Sequence, residues 1–197
     1  MDQAIDRTTE EQKGVFVDIW DRGNYRLGSP GLRIVPRFKE YIPEGCTIND
    51  YGSGTGRAAV ALRRLGHPVN MVDIAPNALE DEAKNLLGPG FTFTLASLWD
   101  LPADFPWAPW GYCMEVLMTI PPAKLDLTLQ NIRRTSDNVF VQVYNRIDRR
   151  VGHECNLIHE DRQWWQKKLG EYFDNVEEIP SQEIKQRYIY ICREVGK

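Results

Sequence analysis

The sequence predicts a single α/β domain in which helices cover both faces of a seven-stranded, mostly parallel sheet. Three observations point to this fold class. The 197 residues suffice for one domain with a hydrophobic core, but not comfortably for two. Short apolar runs alternate with helical segments over residues 46–172, which implies parallel strands joined by right-handed crossovers. The last two apolar runs lie too close together for a crossover helix, so they must form an antiparallel hairpin.

Residues 1–45 predict an N-terminal helical lid, ahead of a compact core over residues 46–197. A helix is expected from Thr8 to Trp20, because Thr8 can cap it and Glu11 follows three residues later, as in a capping box. A turn-rich stretch comes next, and a second short helix is predicted over Leu32–Tyr41.

The sequence of the core predicts seven strands and four helices. Strands are expected at Thr47–Tyr51, Val69–Ile74, Phe91–Leu95, Tyr112–Val116, Val139–Tyr144, Asn175–Ile179 and Ile184–Cys192. The helices between them are expected at Arg57–Leu65, Pro76–Leu87, Pro121–Arg134 and Glu160–Tyr172. Two of these helices begin with proline, which suits the first helical turn.

The composition disfavours two kinds of partner. The chain carries 24 Lys and Arg against 28 Asp and Glu, and a net charge of −4 gives no broad basic face for nucleic acid polymers. No apolar run approaches the roughly 18 residues of a membrane span, and the N-terminus lacks the pattern of a signal peptide. We therefore expect a cytoplasmic protein, and the sequence does not indicate its oligomeric state.

The sharpest motif is the string Asp50-Tyr51-Gly52-Ser53-Gly54-Thr55-Gly56, placed after the first strand and before a helix. Closely spaced glycines let a ligand approach the backbone and the N–H groups of the helix N-terminus. The dinucleotide fingerprint wants a glycine at the position of Arg57, and no GK[ST] follows for a P-loop. The alternative is a turn whose glycines serve packing alone.

A second motif is Asp73, which ends the second predicted strand 21 residues after Gly52. A carboxylate at this strand tip can accept hydrogen bonds from the ribose hydroxyls of an adenosine ligand. The alternative role is the N-cap of the next helix.

With these motifs in place, the chain resembles class I S-adenosylmethionine-dependent methyltransferases, which have a Rossmann-like core. The resemblance covers Cys46 to Cys192 and includes the segment Glu115–Pro122, which is similar to a common family segment after the fourth strand. The upstream Trp20, Tyr25-Arg26 and Ser29-Pro30-Gly31 also resemble the start of a bacterial and phage subgroup. The resemblance implies S-adenosylmethionine as the cofactor.

The resemblance also implies a role for individual residues. Asp50 and the backbone of Gly52, Ser53, Gly54 and Gly56 would hold the methionine part. Asp73 and Ile74 would hold ribose and adenine, and Ser97, Leu98 and Trp99 would flank the adenine ring. Glu115 would lie beside the methionyl end, and Tyr25 and Arg26 would contact the cofactor from the lid.

The acceptor side is predicted after the fifth strand, where ligands of open α/β sheets bind. Arg146, Arg149 and Arg150 could hold a phosphate or carboxylate, or could form only a solvated loop. His153 and His159, with Glu115, are candidates to take the acceptor's proton, and structural hydrogen bonds are the alternative for each histidine. We expect no metal, because the spacing of His153, Cys155 and His159 matches no standard zinc site.

The predicted function is direct methyl transfer to an oxygen, nitrogen or sulfur nucleophile of a small-molecule acceptor. Two alternatives stay open. One is a non-catalytic module that binds S-adenosylmethionine or a nucleotide, since Met118-Thr119 replaces the family's usual polar pair. The other is an NAD(P)-linked oxidoreductase, which would need the GxGxxG turn that the chain lacks.

Overall fold

A computed structural model describes residues 6–22, 24–28, 30–150, 152–180 and 186–195. Its helices are α1 (Thr9–Asp21), α2 (Pro30–Phe38), α3 (Arg57–Arg64), α4 (Asp81–Lys84), α5 (Leu125–Thr135) and α6 (Arg162–Gly170). Its strands are β1 (Ile48–Tyr51), β2 (Val69–Asp73), β3 (Phe91–Leu95), β4 (Ala108–Met114), β5 (Ser136–Tyr144), β6 (Arg149–Arg150), β7 (His153–Glu154), β8 (Asn175–Ile179) and β9 (Arg187–Arg193).

Seven of these strands form one sheet in the order β3-β2-β1-β4-β5-β9-β8. The strands from β1 to β5 pair in parallel, and β9 runs antiparallel to both β5 and β8. The predicted α/β domain with its antiparallel C-terminal hairpin is therefore confirmed. The strand order reverses between β1 and β4, which is where open α/β sheets bind ligands at the carboxyl ends of their strands.

The core lies on both faces of this sheet. On one face, α5 and α6 pack against the sheet, and Trp165 of α6 is fully buried there. On the other face lie α2, α3 and α4, and Phe38 of α2 is fully buried beside the rings of Tyr112 and Phe140. The residues before 45 thus contribute one core helix as well as α1, and the division at residue 45 stays a prediction.

The first helix covers the carboxyl ends of the strands. Thr8 and Glu11 form the predicted capping box at its N-terminus. Ile19 packs beside Cys155, which follows β7, and Trp20 packs against Ala75, which follows β2. Because these contacts lie on both sides of the strand-order reversal, α1 spans the opening there. Among the described residues, no helix is both long and apolar enough to cross a membrane.

The predicted helix over Pro76–Leu87 is wrong for most of its length, because only Asp81–Lys84 is helical. The preceding residues are held by bonds to other parts of the chain. The N–H of Glu80 donates to the carbonyl of Thr55 at 3.0 Å, and Arg57 forms a two-pronged bond to the Glu80 carboxylate. Tertiary contacts with the glycine turn thus replace the helical bonds that local sequence favours.

Two smaller predictions also need correction. The fourth strand begins at Ala108 and ends at Met114, rather than spanning Tyr112–Val116. The segment predicted as a plain loop after β5 contains the two-stranded ribbon β6–β7. The start of the predicted last strand at Ile184 falls within residues 181–185, outside the described residues.

Candidate active site

A cavity of about 300 Å³ opens at the carboxyl ends of the parallel strands, beneath α1. Its size is at the lower end of the range for small-molecule sites. The predicted site residues that line it are Tyr25, Asp50, Gly52, Ser53, Gly54, Asp73, Ile74, Ser97, Leu98, Trp99, Glu115 and Arg150. The cavity therefore joins the glycine motif, the tip of β2 and the acceptor segment in one space.

The glycine turn is shaped by close contacts as well as by its backbone. Gly52 has a φ of 71°, and a Cβ there would lie 2.4 Å from a methyl group of Val116. A Cβ on Gly56 would meet Ala83 and Leu79, both at 2.7 Å. Gly56 does not line the cavity, so its glycine serves helix packing, whereas Gly52 and Gly54 lie in the cavity wall.

Asp73 connects the tip of β2 to the glycine turn. Its Oδ2 accepts a hydrogen bond from the N–H of Gly54 at 2.8 Å, and its Oδ1 accepts one from the N–H of Ala75 at 2.9 Å. Burial raises the pKa of this carboxyl, and the backbone hydrogen bonds oppose the rise. Asp73 does not cap α4, whose N-cap is Glu80. It therefore holds the glycine turn while lining the cavity.

Asp50 is a buried acid in the wall of the cavity. Its Oδ2 has no hydrogen-bond partner among the described residues. Burial, reinforced by the neighbouring charge of Asp73, raises the pKa of Asp50 to about 7. A cationic group in the cavity would lower that pKa and supply the missing partner.

The segment after β3 contributes a polar side chain, Ser97, and an aromatic one, Trp99, to the cavity wall. Ser97 is buried, and its hydroxyl has no hydrogen-bond partner among the described residues. Trp99 is also buried, and its indole N–H donates to the hydroxyl of Thr9 at 2.9 Å. The start of α1 is therefore tied to this wall.

Further contacts hold α1 closed over the cavity. The Trp20 ring lies against Gly54, where a Cβ would come within 3.1 Å of it. The amide of Gln12 is buried and donates to the carbonyl of Thr119 at 2.7 Å. Arg26 does not line the cavity. Its guanidinium donates hydrogen bonds to the carbonyls of Trp20, Asn77 and Ala78. These bonds connect the turn after α1 to the segment after β2.

Glu115 sits just past β4 in a left-handed backbone conformation, with a φ of 57° that is uncommon for a residue other than glycine. Its Oε1 lies 2.6 Å from Nε of Arg187 and accepts a hydrogen bond from the amide of Gln142 at 2.8 Å. Burial raises the pKa of Glu115, and the charge of Arg187 opposes the rise. The carboxylate thus faces β5 and β9.

Comparisons with known proteins bear on the fold. No protein-family model and no curated protein sequence matches the chain. Among solved structures, the Burkholderia thailandensis 1,6-didemethyltoxoflavin-N1-methyltransferase, with bound 1,6-didemethyltoxoflavin and S-adenosylhomocysteine, is similar with a TM-score of 0.75 and 13% identity. The match covers 98% of this chain and 93% of that chain.

Two further structures agree. The magnesium protoporphyrin IX methyltransferase of Synechocystis, with bound S-adenosylmethionine, has a TM-score of 0.64 and 16% identity, covering 98% of this chain and 100% of its own. A Streptomyces caelestis methyltransferase has a TM-score of 0.69 and 13% identity, with coverage of 98% and 100%. This chain has the fold of class I S-adenosylmethionine-dependent methyltransferases. At such identities the likeness concerns the fold alone.

Within this methyltransferase fold, neither candidate histidine lines the cavity. His153 Nε2 lies 3.0 Å from a carboxylate oxygen of Asp18, which links β7 to α1. His159 Nε2 lies 3.0 Å from a carboxylate oxygen of Glu154. Both contacts are the structural hydrogen bonds that the sequence left open as alternatives.

The three candidate arginines also differ in their position relative to the cavity. Arg150 lines the cavity, and its guanidinium lies over the ring of Tyr25. Arg146 is outside the cavity and donates to the hydroxyl of Tyr144 at 3.2 Å. The side chain of Arg149 is outside the described part of the structure.

Sequence reasoning missed one arginine that lines the cavity beside Glu115. Arg187 is the first residue of β9, and it reaches the cavity because β9 inserts next to β5. Its guanidinium lies 4.8 Å from the ring centre of Tyr144. Only the strand order could have indicated it, because the predicted hairpin alone does not say which of its two strands adjoins β5.

Proposed function

We propose that the chain is an S-adenosylmethionine-dependent methyltransferase that acts on an oxygen, nitrogen or sulfur nucleophile of a small-molecule acceptor. The observation that carries this proposal is the direct hydrogen bond between Gly54 and Asp73 in the wall of a cavity that also contains the Asp50 carboxyl. The fold places this wall at the strand-order reversal, where ligands of such sheets bind.

The polar groups of this wall fit the cofactor. The unpartnered Oδ2 of Asp50 suits the ammonium of a methionine moiety. Each oxygen of Asp73 accepts one backbone N–H, and a carboxylate has further lone pairs that can accept ribose hydroxyls. The unpartnered hydroxyl of Ser97, beside Leu98 and Trp99, suits the polar edge of adenine.

When bound, S-adenosylmethionine supplies a methyl group on a positively charged sulfur, which makes that methyl electrophilic. The chain's own contribution is to position the partners and to exclude water. The Trp20 ring on the glycine turn and the buried amide of Gln12 keep α1 over the cavity. Proton removal by a histidine finds no support in this geometry, because His153 and His159 do not line the cavity.

A small molecule is the acceptor class that the observations favour. The cavity is bounded on the lid side by α1, and the net charge of −4 opposes a nucleic acid polymer. The Burkholderia thailandensis neighbour holds 1,6-didemethyltoxoflavin, which is a small molecule.

Isothermal titration with S-adenosylhomocysteine tests the cofactor site. We expect micromolar binding by the wild-type chain and at least about tenfold weaker binding by Asp73→Ala, because a charged hydrogen-bond acceptor is lost. Asp104→Ala is the matched control, since Asp104 is an exposed acid in the loop before β4. Absence of binding by the wild-type chain at high micromolar concentration would remove the proposal.

Transfer itself is tested with methyl-labelled S-adenosylmethionine and fractionated small-molecule extract. Label in a low-molecular-weight product supports the enzyme. Tight cofactor binding without any labelled product would favour the second candidate, a non-catalytic cofactor-binding module. That candidate draws support from two observations: the three histidines do not line the cavity, and the Glu115 carboxylate is already paired with Arg187.

A further inference from the structure

Three arginines line the cavity, Arg33, Arg150 and Arg187, and the last two have similar surroundings. Arg187 has its Nε 2.6 Å from a Glu115 oxygen, and its guanidinium carbon lies 4.8 Å from the ring centre of Tyr144. Arg150 has its Nε 2.9 Å from an oxygen of Asp148, and its guanidinium carbon lies 5.6 Å from the ring centre of Tyr25. In each case a carboxylate lies at one edge of the guanidinium and a tyrosine ring lies beside its face.

The outer edges of these guanidiniums are uncommitted within the described part of the chain. No terminal nitrogen of Arg187 or Arg150 makes a hydrogen bond to a described residue, although both side chains line the cavity. A guanidinium presents paired N–H groups that match the two oxygens of a carboxylate or phosphate. Arg187 is mostly buried between Glu115 and Tyr144, so it has little side-chain freedom left to lose when an anion binds, whereas Arg150 is half exposed.

The ion pair beneath Arg187 suggests that its position serves more than stability. The Glu115 side chain is only 13% exposed, and the residue that pairs with Arg187 has a left-handed backbone conformation. A buried ion pair contributes little net stability, and backbone strain gathers at functional sites. Removing charge from water and straining the backbone are both costs, so we expect a compensating role in binding.

The unpaired acids and the two paired arginines lie on different sides of the cavity, although Glu115 and Asp148, the partners of these arginines, also line it. Asp50 and Asp73 lie at the ends of β1 and β2, on one side of the strand-order reversal. Arg150 and Arg187 come from the ribbon after β5 and from β9, on the other side. A cationic group of a cofactor would therefore be drawn to the side of Asp50 and Asp73, and an anionic group of a second ligand would meet the uncommitted guanidinium edges on the other side.

We propose that the methyl acceptor is a small anion and that Arg187 and Arg150 bind its carboxylate or phosphate group. This inference rests on the proposed function, because it concerns the acceptor of the same cavity. Glu115 is then a positioning residue that acts through Arg187.

The test measures anion binding to the full chain saturated with S-adenosylhomocysteine, by titration calorimetry. The probes are benzoate, the neutral and isosteric benzamide, and inorganic phosphate. We expect benzoate or phosphate to bind at least about tenfold more tightly than benzamide, because only a charged ligand engages the guanidiniums. The tighter of the two anions identifies a carboxylate or a phosphate as the recognised group.

Three variants locate the anion. Arg187→Lys keeps a cation beside Glu115 but loses the forked geometry, and Arg150→Gln removes the second guanidinium. Each should weaken anion binding at least about fivefold and leave benzamide unaffected. Arg146→Gln is the control from the same segment and should not change binding, since Arg146 lies outside the cavity. Thermal denaturation of each variant checks that it is folded.

Cofactor and anion are titrated separately, so that the two proposals fail separately. If the wild-type chain does not bind S-adenosylhomocysteine, the proposed function is removed. Anion binding is then measured on the cofactor-free chain. Equal affinity for benzoate, phosphate and benzamide would overturn the anionic acceptor. So would anion binding that Arg187→Lys and Arg150→Gln leave intact.

Discussion

Replacing Asp50 by asparagine should stabilise the cofactor-free protein and weaken its binding of cofactor. Asp50 is buried without a partner for its Oδ2, and burial beside Asp73 raises the pKa of Asp50 from an ordinary 3.8 to about 7. Since one pKa unit corresponds to about 1.4 kcal/mol, ionising Asp50 in the folded protein costs about 4 kcal/mol. Asparagine has nearly the same shape and no charge to ionise.

The sign of the pH effect on the free energy of unfolding follows because the folded state binds the proton of Asp50 more tightly than the unfolded state does. A carboxyl whose pKa is raised by folding stabilises the folded state fully below the unfolded value of 3.8, and loses that contribution as the pH rises to about 7. The Asp50→Asn variant has no such loss. We therefore expect its free energy of unfolding to exceed that of the wild type by about 2 kcal/mol at pH 5.5 and about 4 kcal/mol at pH 8.5.

Urea denaturation of the cofactor-free chain at both pH values measures this difference. Titration calorimetry with S-adenosylhomocysteine at pH 8.5 should show binding at least about tenfold weaker in Asp50→Asn, because the amide cannot form an ion pair with an ammonium. Asp104→Asn removes the same charge from an exposed site and should change neither quantity. A variant less stable than wild type at pH 8.5, or a difference that does not grow with pH, would refute the reasoning.

Three further substitutions probe the turn, the ion pair and the lid. Gly52→Ala should lower the free energy of unfolding by about 2 kcal/mol or more, because its Cβ would meet Val116 at 2.4 Å; urea denaturation within 0.5 kcal/mol of wild type would contradict this. Glu115→Gln should weaken benzoate binding, because Arg187 loses its ion pair. If calorimetry instead shows weaker binding of S-adenosylhomocysteine alone, Glu115 contacts the cofactor directly, as the family resemblance implies. Gln12→Ala loses a buried hydrogen bond of the lid, so stopped-flow fluorescence should show cofactor dissociation accelerated about fivefold, and an unchanged rate would mean that α1 does not control exit.

The parts of the fold that the sequence predicts are those governed by local patterns. The strand Phe91–Leu95 is confirmed to the residue, and the Thr8–Glu11 capping box forms as expected. The helix over Pro76–Leu87 fails because the N–H of Glu80 bonds to the glycine turn, a contact that no local pattern encodes.

The candidate site also has a part that local patterns predict and a part that they do not. Asp50, the glycine turn and Asp73 belong to consecutive strand ends, so their meeting follows from parallel strand order. The side of the cavity where we propose that the acceptor binds depends on which strand adjoins β5, and this is decided by contacts between residues distant in sequence. Arg187 therefore escaped prediction, while Arg146 was predicted for the cavity and lies outside it.

If Arg187 and Arg150 bind the acceptor as we propose, their end of the cavity also indicates how a nucleophile would be prepared. His153 and His159 are engaged elsewhere, and the Glu115 carboxylate is neutralised by Arg187, so the described cavity offers fixed cations in place of a free base. A guanidinium close to an ionisable group favours the charged, deprotonated form of that group. The arginines that we propose bind the acceptor's anion would thus also lower the pKa of a nearby nucleophile. Binding and activation of the acceptor would then have the same electrostatic origin, with Glu115 keeping Arg187 in place for both.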